Sequence, residues 1–329
     1  MKHKRSIYSV NSKTVHFQRL QNSQGLANLL HFEFNSFKRV IENASYTEFS
    51  IPKKKGGKRA IESPNEYLSL IQKRLNDYLQ AVYYKIKPTN VYGFIQSVKG
   101  EQSTCTIFSN AQNHVGKDYV LNIDLKDYFH SVTSIQVRDF FQSIRFNFYE
   151  ELATCIALIC CWKGRLPMGA STSPVVANLL SLKLDEQLIA LASFYNLTYT
   201  RYADDLTFSS NEKISDEMIL KIKTLIVGCE FEVNNKKVRL QSKYSQQTVT
   251  GIKVNIKTNV DRKYIRNIRA MLHDIKVNGI EKATMKHFKS LLVDDQMMNA
   301  FILKIRGKVD FVGQVRGKDD LIYNSLRQI

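Results

Sequence analysis

Residues Leu197 to Ser210 read LTYTRYADDLTFSS. Tyr199 to Tyr202 before the acidic pair and Leu206 to Phe208 after it are β-branched, aromatic or amphipathic, so two short strands with Asp204 and Asp205 at the turn are expected. Adjacent carboxylates repel. The arrangement becomes favourable when a hard divalent cation such as Mg²⁺ sits among their oxygens. For Tyr202-Ala203-Asp204-Asp205 alone a solvated turn is the commoner outcome, so the decision rests on the flanking chain.

Upstream, Tyr119 to Val132 (YVLNIDLKDYFHSV) opens as a buried strand and reaches Asp124 where that strand should leave the core. An ionised Asp at the end of an apolar strand is costly unless paired. A metal shared with Asp204 and Asp205 would satisfy it; a helix N-cap at Asp124 or Asp127 is the competing reading. Gly164 to Pro174 (GRLPMGASTSP) is a loop of small and hydroxyl residues opening a helix over Val175 to Ala192, where free N–H groups can face an anion or a sugar. Downstream, a helix from near Ser215 to Val227 and strands around Phe231-Glu232-Val233 and over Gln247 to Val254 are expected. Strand, helix, acidic hairpin, helix, strand is the order of a ferredoxin-like α+β layer.

Further out, Leu26 to Ile41 has helical spacing, and Glu48 to Glu62 (EFSIPKKKGGKRAIE) reads as two strands turning at Gly56-Gly57. Lys53, Lys54, Lys55, Lys58 and Arg59 make this a basic flap, either a solvated charge run or a triphosphate clamp. Glu66 to Tyr84 is an amphipathic helix. Asn110 and His114 (NAQNH) stand in a weakly helical stretch, where a lone His is commonly structural. Phe140 to Trp162 reads as largely helical. Asp261 to Asn278 carries an apolar stripe (Ile265, Ile268, Leu272, Ile275) and a basic side (Arg262, Arg266, Arg269, Lys276), suited to protein on one side and a phosphate backbone on the other, or to solvent. Ala283 to Phe301 is expected to be helical, whereas Lys304 to Lys318, interrupted by Gly307, Gly313 and Gly317, has no clear periodicity.

The 329 residues carry 48 Lys plus Arg against 30 Asp plus Glu, a net charge of +18. About half of that excess lies in the first 60 residues, with twelve basic and three acidic side chains. Such a charge favours a polyanionic partner, nucleic acid first. Five cysteines without CxxC spacing suggest neither a disulfide framework nor a zinc site. Neither a spanning apolar run nor a signal-like start is evident, so a cytoplasmic protein with no membrane partner is expected.

Asp124, the loop Leu166 to Pro174 and Tyr202-Ala203-Asp204-Asp205 resemble, in order and spacing, the reverse transcriptase palm. Asn110-Ala111-Gln112-Asn113-His114 and Val249-Thr250-Gly251 resemble the two signatures of bacterial retron reverse transcriptases. The resemblance runs from about Glu48 to Asn278. It implies an α+β right-hand polymerase fold: an N-terminal extension and fingers over 1–118, a palm over 119–258 with part of the fingers inserted at about 138–165, and a helical thumb over 259–329. It further implies that Asp124, Asp204 and Asp205, with the Leu125 carbonyl, bind two Mg²⁺. Phe129 would exclude a ribose 2′-OH. Lys54, Arg59, Met168, Gly169 and Lys237 would contact the incoming deoxynucleoside triphosphate, Lys237 within an Asn-x-x-Lys pattern begun by Asn234. Asn110, His114, Val249, Thr250, Gly251, Arg262, Arg266 and Arg269 would face RNA. The pattern is broken at Met168, where Gln is usual, at Ser171 for Pro and at Val238 for Thr. The implied activity is RNA-directed DNA synthesis on a structured noncoding RNA. It would be primed from an internal 2′-OH, giving a branched RNA-linked single-stranded DNA, and would serve anti-phage defence with an effector protein. A defence reverse transcriptase with another priming mode and an RNA-binding scaffold are the alternatives.

Overall fold

Leu68, Ile71, Leu75, Leu79 and Val82 recur at helical spacing, and in the computed structural model Glu66–Ile86 is a helix that buries all five. Asn65 caps it, its side-chain oxygen accepting from the Leu68 amide at 2.9 Å. Removing each of the five apolar side chains from water is worth about 1.5–3 kcal/mol. The structure describes residues 6–53, 56–100 and 105–328. The chain divides into two compact units, Met1–Thr106 with Leu121–Phe208 and Ile214–Arg239, and Ile107–Val120 with Ser209–Lys213 and Leu240–Ile329.

In the first unit, Tyr46–Pro52 and Lys58–Pro64 form the expected antiparallel hairpin, with Ile51 opposite Arg59. Gly56 and Gly57 take φ of 90° and 82°, the left-handed backbone that a tight turn needs. The central sheet runs in the order Thr198–Tyr202, Asp205–Ser210, Tyr119–Lys126, Glu232–Val233, with Leu125 opposite Val233 in its last, antiparallel pair. Asp216–Gly228 is the expected helix, capped by Ser215.

Three helical stretches expected in this unit each hold two helices. Leu26 to Ile41 is split into Ser23–Leu29 and Phe34–Glu42 by His31 at φ 57°. Phe140 to Trp162 is split into Ser134–Gln142 and Glu150–Cys160, and the intervening Phe146 and Phe148 turn in to pack with Phe17 and Phe141 at ring separations of 4.9–6.2 Å. Val175 to Ala192 breaks at Ser181 into Ser173–Leu180 and Leu182–Phe194. Apolar periodicity continued through all three breaks, so it hid them.

The second unit departs further. Gln247 to Val254 is a hairpin of Thr248–Val249 and Ile252–Lys253, turned by Thr250 (φ 47°) and Gly251 (φ 83°). Arg239–Ser242 is an unexpected strand. Arg262–Phe288 is helical with a kink at Gly279 (φ 77°). Asp295–Arg316 is helical through Gly307 and Gly313, correcting the expectation of an irregular segment. Gly313 stands there because a Cβ would lie 2.5 Å from the Tyr323 ring of the closing helix Leu321–Arg327, an approach that only glycine permits. Val249, Ile252, Val254, Ile268, Phe301 and Val312 share one core with Ala111 and Val120. Among the described residues no helix is long and apolar enough to cross a membrane, and all five cysteines are free.

Candidate active site

Tyr202 and Asp205 end and begin neighbouring strands, and Ala203 between them holds φ at 58°. The adjoining strand brings Asp124 alongside, with the Leu125 amide donating to the Asp204 carbonyl at 2.9 Å. Asp124 therefore lies within its strand, not at a helix N-cap. Asp124 is only 8% exposed, and its carboxylate accepts from Lys237 Nζ at 2.8 and 2.9 Å and from Asn234 Nδ2 at 3.1 Å. The three residues of the Asn-x-x-Lys stretch after Asn234 form a short 3₁₀ turn, Asn235–Lys237, which folds the ammonium back onto the strand.

The electrostatics are those of negative charge held without full compensation. Desolvation and then the Asp124 charge push the Asp204 carboxyl above its ordinary range, against the pull of Lys237 and Arg59. Asp205 has one side open to solvent, yet desolvation and the Asp204 and Asp124 charges push it up to about 6. Lys237 is raised, chiefly by its hydrogen bonds to Asp124, and so keeps its proton. Among the described residues no three His, Cys, Asp or Glu side chains are gathered as a ready metal cage. Lys237 already occupies the Asp124 oxygens. The donor set nevertheless fits a hard divalent cation: carboxylate oxygens alone, two of them with raised affinity for positive charge.

Beneath the turn lies a fully buried ion pair that sequence reasoning missed. Arg201 and Asp185 are both 0% exposed, with Nε and Nη2 donating to the two carboxylate oxygens at 2.8 and 2.7 Å. Arg201 Nη1 also donates to the Ala203 carbonyl at 3.1 Å, to Asn178 Oδ1 at 2.9 Å and to the Tyr128 hydroxyl at 3.0 Å. Asn178 in turn donates to the Gly93 carbonyl at 3.0 Å. A Cβ on Gly93 would stand 2.3 Å from the Ala203 nitrogen, so this glycine lets the two backbones meet. The signal available was an Arg in an otherwise uncharged strand and an Asp in a helix of core spacing.

The described residues expected to contact the nucleotide fall in the same unit. Phe129 is half-buried, with its ring 5.8 Å from that of Phe94 and 5.5 Å from that of Tyr128. Arg59 is exposed on the hairpin strand and near enough to Asp204 to lower its pKa. Met168 and Gly169 follow the Glu62-bearing strand, with the Glu62 amide donating to the Met168 carbonyl at 2.9 Å. Lys54 lies outside the described residues.

Asn110, His114 and Val249, expected to face RNA, are each 0% exposed. Their side chains shape a surface from within; they are not available to touch RNA directly. His114 Nδ1 sits 2.7 Å from Ser209 Oγ, and Thr250 Oγ1 donates to the carbonyl of Ile107, the first residue of the helix that carries Asn110, at 3.0 Å. Gly251 is exposed at the turn, and Arg262, Arg266 and Arg269 are exposed on the outer side of their helix while Ile265 and Ile268 are buried.

Burial pushes the His114 imidazole down from 6.5 to about 3. Below pH 6.5 the unfolded chain binds a proton that the folded chain refuses, so stability falls with pH by up to about 1.4 kcal/mol per unit until the folded value is reached. His114→Gln is expected to flatten the decline in urea midpoint between pH 6.5 and about 5; an unchanged decline would refute that assignment.

Residues 51–254 match the family described as Reverse transcriptase (RNA-dependent DNA polymerase). The chain is 33% identical over 275 residues to the Retron Mx65 reverse transcriptase of Myxococcus xanthus, covering 77% of this chain and 61% of that protein. It is 37% identical over 175 residues to the Retron Ec86 reverse transcriptase of Escherichia coli, covering 52% and 53% respectively. To the Retron Ec73 reverse transcriptase of the same organism it is 33% identical over 222 residues, covering 63% and 68%. The chain thus spans under two thirds of the length of the first two.

Proposed function

We propose, from the premise that this chain belongs to the reverse transcriptase family and within it to the retron type, that it is an RNA-directed DNA polymerase. The observation that carries the reading is the backbone bond from Leu125 to Asp204, which sets the strand of Asp124 beside the Asp204-Asp205 turn, with the Asp204 and Asp205 carboxyls raised in affinity for positive charge by desolvation and neighbouring carboxylates. Asp124, Asp204 and Asp205, with the Leu125 carbonyl, would hold two Mg²⁺. When bound, those ions supply charge neutralisation for the attacking primer hydroxyl and the departing pyrophosphate.

The chain's own groups do the rest. Arg59, exposed on the hairpin, would offer its guanidinium for bidentate contact with a triphosphate. Met168 and Gly169 would line the sugar side of the same nucleotide, and Lys54 would join the phosphate contacts. Lys237 holds a proton at Nζ, beside the carboxylates, that it can give to departing pyrophosphate. The basic helix face of Arg262, Arg266 and Arg269, with the Thr250-Gly251 turn, would lie along RNA. The template-primer would be a structured noncoding RNA, copied into a branched RNA-linked DNA in anti-phage defence with an effector protein, and this finer reading follows the retron resemblance.

The test is extension of a primer annealed to RNA by the purified chain with deoxynucleoside triphosphates and Mg²⁺. Sustained, RNA-length-dependent DNA synthesis is expected; none would overturn the reading. Within that assay Phe129→Ala should lower discrimination against ribonucleotides by about 10- to 100-fold, or roughly 1.4–2.7 kcal/mol. Unaltered discrimination would remove Phe129 as the sugar gate.

A further inference from the structure

Glu62 is a carboxylate at 4% exposure with more partners than its strand position requires. Arg165 grips it as a fork, Nη1 to Oε2 at 3.0 Å and Nη2 to Oε1 at 2.9 Å. The Met168 amide donates to Oε2 at 3.2 Å, while the Glu62 amide donates back to the Met168 carbonyl at 2.9 Å. Gly169 allows this approach, since a Cβ there would stand 2.4 Å from the Glu62 carbonyl oxygen. On the third side, Nε2 of His130, the residue after Phe129, lies 3.3 Å from Oε2. Burial works against the charge, but the Arg165 and Met168 hydrogen bonds outweigh it and hold the Glu62 carboxyl below its usual value.

Arg59 stands three residues before Glu62 on the same strand, a separation of about 10 Å. The hairpin strand carrying Arg59, the turn carrying Phe129 and the loop carrying Met168 and Gly169 therefore meet at one carboxylate. We infer that Glu62, with Arg165, is a positioning pair for nucleotide selection: it sets the triphosphate contact, the sugar gate and the sugar-side loop at fixed distances from one another. The inference rests on the polymerase reading. Neither residue touches the nucleotide. They act because charge-assisted hydrogen bonds are about twice as strong as neutral ones, and because misplacing a contact by about 1 Å costs rate out of proportion to any change in fold.

Glu62→Gln puts an amide donor where Arg165 and the Met168 amide both donate, so the junction loosens with little change in volume. Expected in steady-state extension on an RNA template is a rise of about tenfold in KM for each deoxynucleotide and a fall of about tenfold in discrimination against ribonucleotides, with kcat within about threefold. Arg165→Lys, which cannot form the fork, should show the same signature at smaller size and carries the test if Glu62→Gln fails to fold. A merely structural junction would instead lower Tm and kcat for every nucleotide alike, with KM and discrimination unmoved, and that result overturns the inference. An active wild-type chain with unaltered KM and discrimination in both variants overturns it alone. A wild-type chain that makes no DNA on RNA overturns the polymerase reading and this inference with it.

Discussion

Asp204→Asn combined with Asp205→Asn is expected to reduce RNA-templated DNA synthesis by about a thousandfold or more, a loss of at least roughly 4 kcal/mol of transition-state stabilisation. The substitutions keep the shape of the turn and remove its charge. They should not weaken the fold. Both carboxyls have pKa values raised by desolvation first and then by neighbouring carboxylates, Asp124 for Asp204 and Asp204 with Asp124 for Asp205. For an acid whose folded pKa lies above its unfolded one, the ionised form opposes folding, so neutral amides relieve that opposition above the unfolded pKa. The double variant should therefore melt at the same temperature as the parent or higher while making almost no DNA. Retained synthesis in extension assays would show that the carboxylates are not the reacting centre. A large drop in Tm would show that Asp204 and Asp205 are structural.

The second large effect concerns stability. Asp185→Ala leaves the Arg201 guanidinium at 0% exposure without its counter-ion and removes the acceptor of the Tyr199 hydroxyl bond at 2.9 Å. An uncompensated buried charge costs about 3–5 kcal/mol, a large share of the stability of an ordinary domain. The urea midpoint should fall with little change in slope. Asp185→Leu with Arg201→Met removes both charges and should recover most of that loss. Activity should not recover with it, because the Ala203 carbonyl loses the donor that fixes the turn between Tyr202 and Asp205. A double variant that regains both would show the pair to be filler.

The acidic hairpin, the basic hairpin and the Glu66–Ile86 helix were legible because their signals are local: a turn chemistry or a stripe at one spacing. Asp124 beside Asp204 was legible as a motif order, and the amide-to-carbonyl bond from Leu125 to Asp204 gives it a geometric basis. The helix Asp295–Arg316 was not, since Gly307 and Gly313 read as breaks. Gly313 serves a close approach to Tyr323 that only the tertiary structure shows. Val249-Thr250-Gly251 read as strand because Val and Thr favour strands, but Thr250 takes a positive φ that no propensity announces. Arg201 and Glu62 were invisible for a related reason. A charged residue one place along a strand looks solvent-facing until its partners, Asp185 and Arg165, arrive from distant segments.

Lys237 lends the site its own counter-charge. With its ammonium on both oxygens of Asp124, part of the acidic cluster is neutralised by a group that the chain always carries. Folding is then expected not to wait on an ion, unlike that of small domains whose structure is created by metal capture. Any divalent ion the site takes arrives as a competitor for a seat already filled, and a chelator should silence the protein while leaving its architecture standing.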